Sequence, residues 1–136
     1  MAYVLTSYGE IIDKYTILEI KLDHMTDPEQ RMHVIQDLDA LTPTVNALKG
    51  ARGILELIQS LKNVNQALWC IEDCIRIKER LSQFDEEFIA LARSVYTQND
   101  ERARIKRALS ALTNSPLVEE KSYGGGRSGC DCIQGS

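Results

Sequence analysis

The chain has 136 residues, enough for one self-sufficient core and few for two domains. Hydrophobic residues make up 43% and charged residues 26%, the balance of a soluble globular protein, and three prolines with few β-branched runs favour helix. A formal net charge of −4 argues against a general nucleic-acid coat, which needs a basic footprint.

The N-terminal Met1-Ala2-Tyr3-Val4-Leu5-Thr6-Ser7 lacks the basic start and apolar stretch of a signal peptide, and no run approaches a membrane span, so a cytoplasmic protein is expected. Ser7 opens the first helix as a capping box with Glu10: the hydroxyl accepts from the N–H three residues on, and Glu10 reaches back. Tyr8, Ile11, Tyr15, Leu18, Leu22 and Met25 recur at alternating spacings of three and four, a stripe with one buried face. This helix should end before Thr26-Asp27-Pro28, where Asp27 caps the second helix and Pro28 takes its first position.

Val34, Leu38, Leu41, Val45 and Leu48 hold one phase through Pro43, which inside a helix removes a backbone bond. One kinked helix accounts for the phase, and two short helices with Thr42 as a cap are the alternative. Gly50 and Gly53 mark the next turn. The third helix runs from about Ile54 to Leu81, with a core stripe of Ile54, Leu57, Leu61, Val64, Leu68, Ile71 and Ile75. After the Ser82-Gln83-Phe84-Asp85 turn, the fourth helix carries Phe88, Leu91, Val95, Gln98, Arg102, Ile105, Leu109 and Leu112 in phase across Asn99-Asp100. A single long helix explains that phase, with a fresh start at Asn99 or Asp100 the alternative. The expected architecture is an all-α antiparallel bundle of about four long helices over residues 1–116. Residues 117–136, with Gly124-Gly125-Gly126, read as an extended, flexible C-terminal tail.

One feature is unusual. Asn65, Trp69, Glu72, Arg76 and Glu79 form a second stripe beside the apolar seam of the third helix. In an antiparallel hairpin turning near Gln83, Gln98 falls level with Trp69 and Arg102 level with Asn65. The expected cluster is Asn65, Trp69, Glu72, Asp73 and Arg76 with Tyr96, Gln98, Asn99 and Arg102. It reads either as a satisfied buried network, with Glu72 paired to Arg102 or Arg76, or as a binding pocket. In the pocket reading, two Arg beside an indole suit an anionic or sugar-like small molecule.

Glu10, Asp13 and Lys14, with Thr16, Glu19 and Lys21 beyond, make a further polar line on the first helix, and Glu10, Asp13 and Lys14 form a candidate third wall. Glu10–Lys14 has the spacing of a solvated ion pair. Glu10 and Asp13 with Glu72 are a weak Mg²⁺ set, because helical nucleotide pyrophosphohydrolases carry two such carboxylate pairs and this chain has one convincing pair. No cofactor is otherwise expected, and no catalytic triad, dinucleotide fingerprint or metalloprotease helix occurs.

In the basic run Arg102-Ala103-Arg104-Ile105-Lys106-Arg107, only Arg102 falls on the seam, and the others read as solvated faces. Cys70 and Cys74 read as packing residues. Cys130-Asp131-Cys132 is too short a spacing for the usual zinc pairs, and His24 and His33 are isolated from it.

Several strings together resemble a family of small, uncharacterised helical proteins, found mainly in bacteria and also in some phages and viruses, that forms a domain of unknown function. They are Ser7-Tyr8-Gly9-Glu10-Ile11-Ile12-Asp13-Lys14 with Thr16-Ile17-Leu18-Glu19-Ile20-Lys21, and Val64-Asn65 with Leu68-Trp69-Cys70-Ile71-Glu72-Asp73. Further along are Phe84-Asp85-Glu86-Glu87-Phe88-Ile89, the Asn99 to Arg107 segment, and Leu117-Val118-Glu119-Glu120-Lys121-Ser122-Tyr123. The resemblance spans nearly the whole body, while the Gly-rich end with Cys130 and Cys132 departs from the pattern. It implies no established activity, and its loose association with sugar-transfer enzymes implies a nucleotide-sugar or glycan-pathway ligand.

The leading expectation is a non-enzymatic binding, assembly or accessory module that self-associates or docks on a protein partner, since the apolar positions, among them Ile17, Ile20, Ile58 and Ile89, exceed what four helices bury. The alternative is a small Mg²⁺-dependent enzyme or sensor for a phosphorylated or nucleotide-sugar metabolite. A third reading has the tail recruiting a partner through Tyr123 and its thiols.

Overall fold

A computed structural model describes residues 2–113, which form four helices: α1 Tyr8–His24, α2 Pro28–Leu48, α3 Ile54–Arg80 and α4 Glu86–Leu112. The expected tail, with Tyr123, Cys130 and Cys132, lies outside the described residues. Local chemistry sets the boundaries. Ser7 Oγ accepts from the Glu10 N–H at 3.2 Å, Asp27 from Gln30 at 2.9 Å and Asp85 from Phe88 at 2.9 Å, each satisfying an orphan donor of a first turn. At the far end of α1, Arg31 Nη1 donates to the carbonyls of Leu22 at 2.5 Å and Met25 at 2.9 Å.

Both open alternatives resolve to single helices. Pro43 lies inside a continuous α2, with the Thr42 hydroxyl donating to the Leu38 carbonyl at 2.7 Å. Asn99 and Asp100 lie inside a continuous α4. Gly53, at φ 85°, turns the chain into α3 in a conformation that suits glycine. At the other end of α3, Ser82 takes φ 53° so that the Gln83 N–H reaches the Lys78 carbonyl at 2.9 Å and the Ser82 N–H reaches Glu79 at 3.0 Å, a Schellman closure built on serine. Lys78 then pins the following helix through Asp85 at 3.0 Å and Glu87 at 3.3 Å.

The arrangement is less symmetrical than a four-helix bundle. α3 and α4 form a long hairpin, α1 packs against both and against α2, and α2 packs principally on α1. The core joins Ile12, Val45, Ile54, Leu61, Ile105 and Leu109. Within the expected stripe of α1 only Leu18 is fully buried, whereas Ile12, Asp13, Thr16 and Ile20 are buried outside it. A helix surrounded by neighbours has more than one buried face, which corrects both the single-stripe reading and the expectation that Ile20 is surplus.

α1 spans about 25 Å and α3 about 40 Å at 1.5 Å per residue. α1 ends where His24 stacks on Trp69, ring centroids 4.7 Å apart. Past that point about three turns of α3 and the facing part of α4 run on without α1. The molecule therefore has a root, in which α1 fills the hairpin groove, and an arm, in which it does not. Among the described residues no helix is long and apolar enough to cross a membrane.

Candidate functional site

α1 enters the hairpin groove through Gly9, whose N–H donates to Ser110 Oγ at 3.1 Å. A Cβ there would lie 2.4 Å from the Lys106 carbonyl oxygen and 2.7 Å from Ser110 Oγ. The lack of a side chain lets α1 and α4 approach closely, and the next turn of α1 then meets two cations of α4. Asp13, 3% exposed, accepts from Arg102 Nε at 2.9 Å on Oδ1 and from Arg102 Nη2 at 2.5 Å on Oδ2. This is the bidentate fork that guanidinium geometry favours. Lys106 donates to Glu10 Oε1 at 2.6 Å and lies 3.7 Å from Asp13 Oδ2.

Asn65 completes the network from α3. Its Nδ2 donates to Asp13 Oδ1 at 3.0 Å and to Thr16 Oγ1 at 2.9 Å, while the Thr16 hydroxyl donates to the Asp13 carbonyl at 2.8 Å. Burial pushes the Asp13 carboxyl up, but the hydrogen bonds from Arg102 and Asn65 and the charges of Arg102 and Lys106 outweigh it and hold the group below its ordinary value. Two anions and two cations cancel in this cluster. Such a network positions helices, and its carboxylate is an ion-pair partner rather than a proton donor poised for catalysis.

A cleft of about 290 Å³ opens beside the network, where α1 stops. Ile17, Ile20 and Leu68 give it an apolar side, Trp69 an indole, and Asn65, Glu72, Asn99 and Arg102 its polar groups. Five of the residues expected from spacing, Asn65, Trp69, Glu72, Asn99 and Arg102, thus share one cleft, while Gln98 is half-buried away from its lining. Asp73 and Tyr96 are exposed. Arg76 points into solvent and sits 3.6 Å from Glu72, so Glu72 takes its i,i+4 neighbour and Arg102 goes to Asp13.

Glu10 and Asp13 lie in the network, but Lys14 is exposed, and Glu10 is held by Lys106 where a solvated Lys14 pair was expected. Among the described residues no group of three or more His, Cys, Asp or Glu is placed to hold a metal ion, and Glu10, Asp13 and Glu72 do not gather as one. Cys70 and Cys74 are exposed rather than packed.

Thr16 lies on the polar line expected of α1, Lys106, expected on a solvated face, is 3% exposed, and Gly9 and Ser110 are not singled out by spacing. Lys106 follows Arg102 by one turn and Asp13 follows Glu10 by three residues, a matched pair of cations and carboxylates that spacing displays. The distance of 96 positions between Lys106 and Glu10 hides the match. His24, which looked isolated, is stacked on Trp69 with Gln66 Nε2 3.3 Å from its Nε2.

The fold and this network define an all-α protein with a groove-filling helix, a projecting hairpin and an ion-paired cluster beside a small cleft. The chain belongs to a family of unknown function, DUF6165, whose model matches residues 2–132. The Gly-rich end with Cys130 and Cys132 falls inside that span. No curated protein and no solved structure matches the chain.

Proposed function

We propose that the protein is a non-enzymatic assembly module of the cytoplasm that docks through its projecting arm onto a second copy of itself. One observation carries this reading. Along α3 the seam residues Leu61 and Leu68 are buried, but Ile71 and Ile75, past the end of α1, are half-exposed, and Ile77, Leu81, Phe84, Ile89 and Tyr96 are 46–61% exposed. Apolar side chains exposed on an arm held by its own caps and ion pairs suit a partner surface. The second copy carries the same exposed side chains, and the alternating Asp73, Arg76, Glu79 and Arg80 offer opposite charges to an antiparallel neighbour.

The metabolite reading has less support, because Arg102 is engaged by Asp13 and Arg76 by Glu72, so the two guanidinium groups form no anion cradle. Size-exclusion chromatography with light scattering tests the proposal. A dimer that Ile77→Asp and Ile89→Asp convert to monomer supports it. A wild-type monomer at high micromolar concentration sinks self-association and leaves the arm to a different protein.

A further inference from the structure

The cleft at the root of the arm contains a buried acceptor with a fixed direction. Asn65 is 6% exposed. Its Nδ2 must face Asp13, because an ionised carboxylate only accepts, and its other N–H meets a Thr16 oxygen whose own proton is given to a backbone carbonyl. The amide cannot flip, so Oδ1 is turned away from that pair, and it accepts from no described residue. Leaving a buried acceptor unmet is costly, and the cavity that Asn65 lines is the space in which a donor can reach it.

The remaining groups limit what that donor belongs to. Charge is balanced on both sides: Arg102 and Lys106 against Asp13 and Glu10, and Glu72 against Arg76. Among the described residues an anion finds no surplus cation, and a cation meets Arg102. The unspent polar capacity is mixed, with acceptors at Asn65 Oδ1 and the largely exposed Glu72 carboxylate, and a donor at Asn99, whose Oδ1 already accepts from Arg102 Nη1 at 3.4 Å. A hydroxyl serves both kinds because it donates and accepts. Trp69 adds an indole beside Leu68 and Ile20, a surface for a face of C–H groups.

We infer that the cleft is a binding site for a small neutral ring bearing several hydroxyls, of a size near one six-membered ring, with Asn65 Oδ1 and Glu72 accepting from it and Trp69 against its apolar face. This inference stands apart from the docking proposal, since it uses the cleft and not the exposed apolar side chains of the arm.

Trp69 is the single tryptophan, so its fluorescence reports the site without a label. The experiment titrates the full chain with myo-inositol and with glucose, and in parallel with inorganic phosphate, uridine monophosphate and adenosine. A saturable Trp69 response to a polyol is expected, weakened about tenfold in Glu72→Ala, the loss of one hydrogen bond to a charged group, and unaltered in Arg104→Ala. Glu72 lies at the surface, so its variant folds; an unchanged melting temperature checks this. Saturation by phosphate or the nucleotide alone overturns the neutral-ligand assignment, and response to adenosine alone replaces the hydroxylated ring with a stacked base. Silence from every polyol overturns the site and leaves Asn65 Oδ1 to solvent. A monomer in light scattering with a positive titration fails only the docking proposal, and a dimer with a silent titration fails only this one.

Discussion

The root and the arm are built from the same two helices, yet they are stabilised by different means. At the root, α1 supplies a third layer, and charge is buried: Asp13 and Lys106 are each 3% exposed and bonded across the interface. On the arm the described residues supply no third layer, and apolar side chains face outward. Glu72–Arg76 is one helical turn apart and largely exposed, the class of pair that contributes little. Burying a charge demands a partner from elsewhere in the chain, whereas a solvated pair costs and contributes almost nothing.

The largest effect that separates the two regions should come from Asp13→Ala. It leaves Arg102 and Lys106 facing a void, and loss of one partner from a buried pair costs about 3–5 kcal/mol, read as a lower urea midpoint at constant slope. An unchanged midpoint would mean that the root network is solvated like the arm. Gly9→Ala comes next, at about 1–3 kcal/mol for overpacking, because its Cβ meets backbone oxygen 2.4 Å away that cannot rotate aside. Retained stability would show that α1 and α4 are less tightly apposed.

Acid should act on the root as well. The Asp13 carboxyl is depressed in the folded state relative to 3.8 when unfolded. Its stabilisation is therefore fully present above that value and is lost as pH falls from there through the folded pKa. Urea midpoints followed from pH 6 to pH 2 should drop more steeply in the native protein than in Asp13→Asn; parallel curves would remove Asp13 from the acid response.

The arm should be nearly silent by comparison. Arg76→Ala should shift stability by less than about 0.5 kcal/mol, because its pair with Glu72 is largely exposed on both sides. Ser82→Gly, at the left-handed position closing α3, should raise it by about 0.5 kcal/mol, as glycine relieves the serine Cβ there and gives back part of the gain in unfolded-chain entropy. A loss on Ser82→Gly would show that the hydroxyl, not the backbone, holds the turn.

Much of the fold was legible in the residues, and the reasons are local. Ser7, Asp27 with Pro28, and Asp85 announce helix starts because each satisfies donors within its own first turn, and Gly53 marks a turn that needs positive φ. The hairpin register followed from counting back from the turn, which is why Asn65 and Arg102 were expected side by side, and both bond Asp13. Partners are harder to read. Spacing offers Glu10 to Lys14 and Glu72 to either Arg102 or Arg76; Glu72 takes Arg76, while Glu10 and Arg102 bond across the α1–α4 interface.

The sequence by itself determined four helices, their ends and the seam between α3 and α4, because caps, periodicity and turns act within a few residues. Only the tertiary structure decided that α1 lies in the hairpin groove, that it stops at Trp69, and that Asp13 rather than Glu72 receives Arg102. Those outcomes depend on how closely Gly9 lets two helices approach and on which charges burial forces together, and pairings 89 and 96 residues apart leave no mark on local spacing.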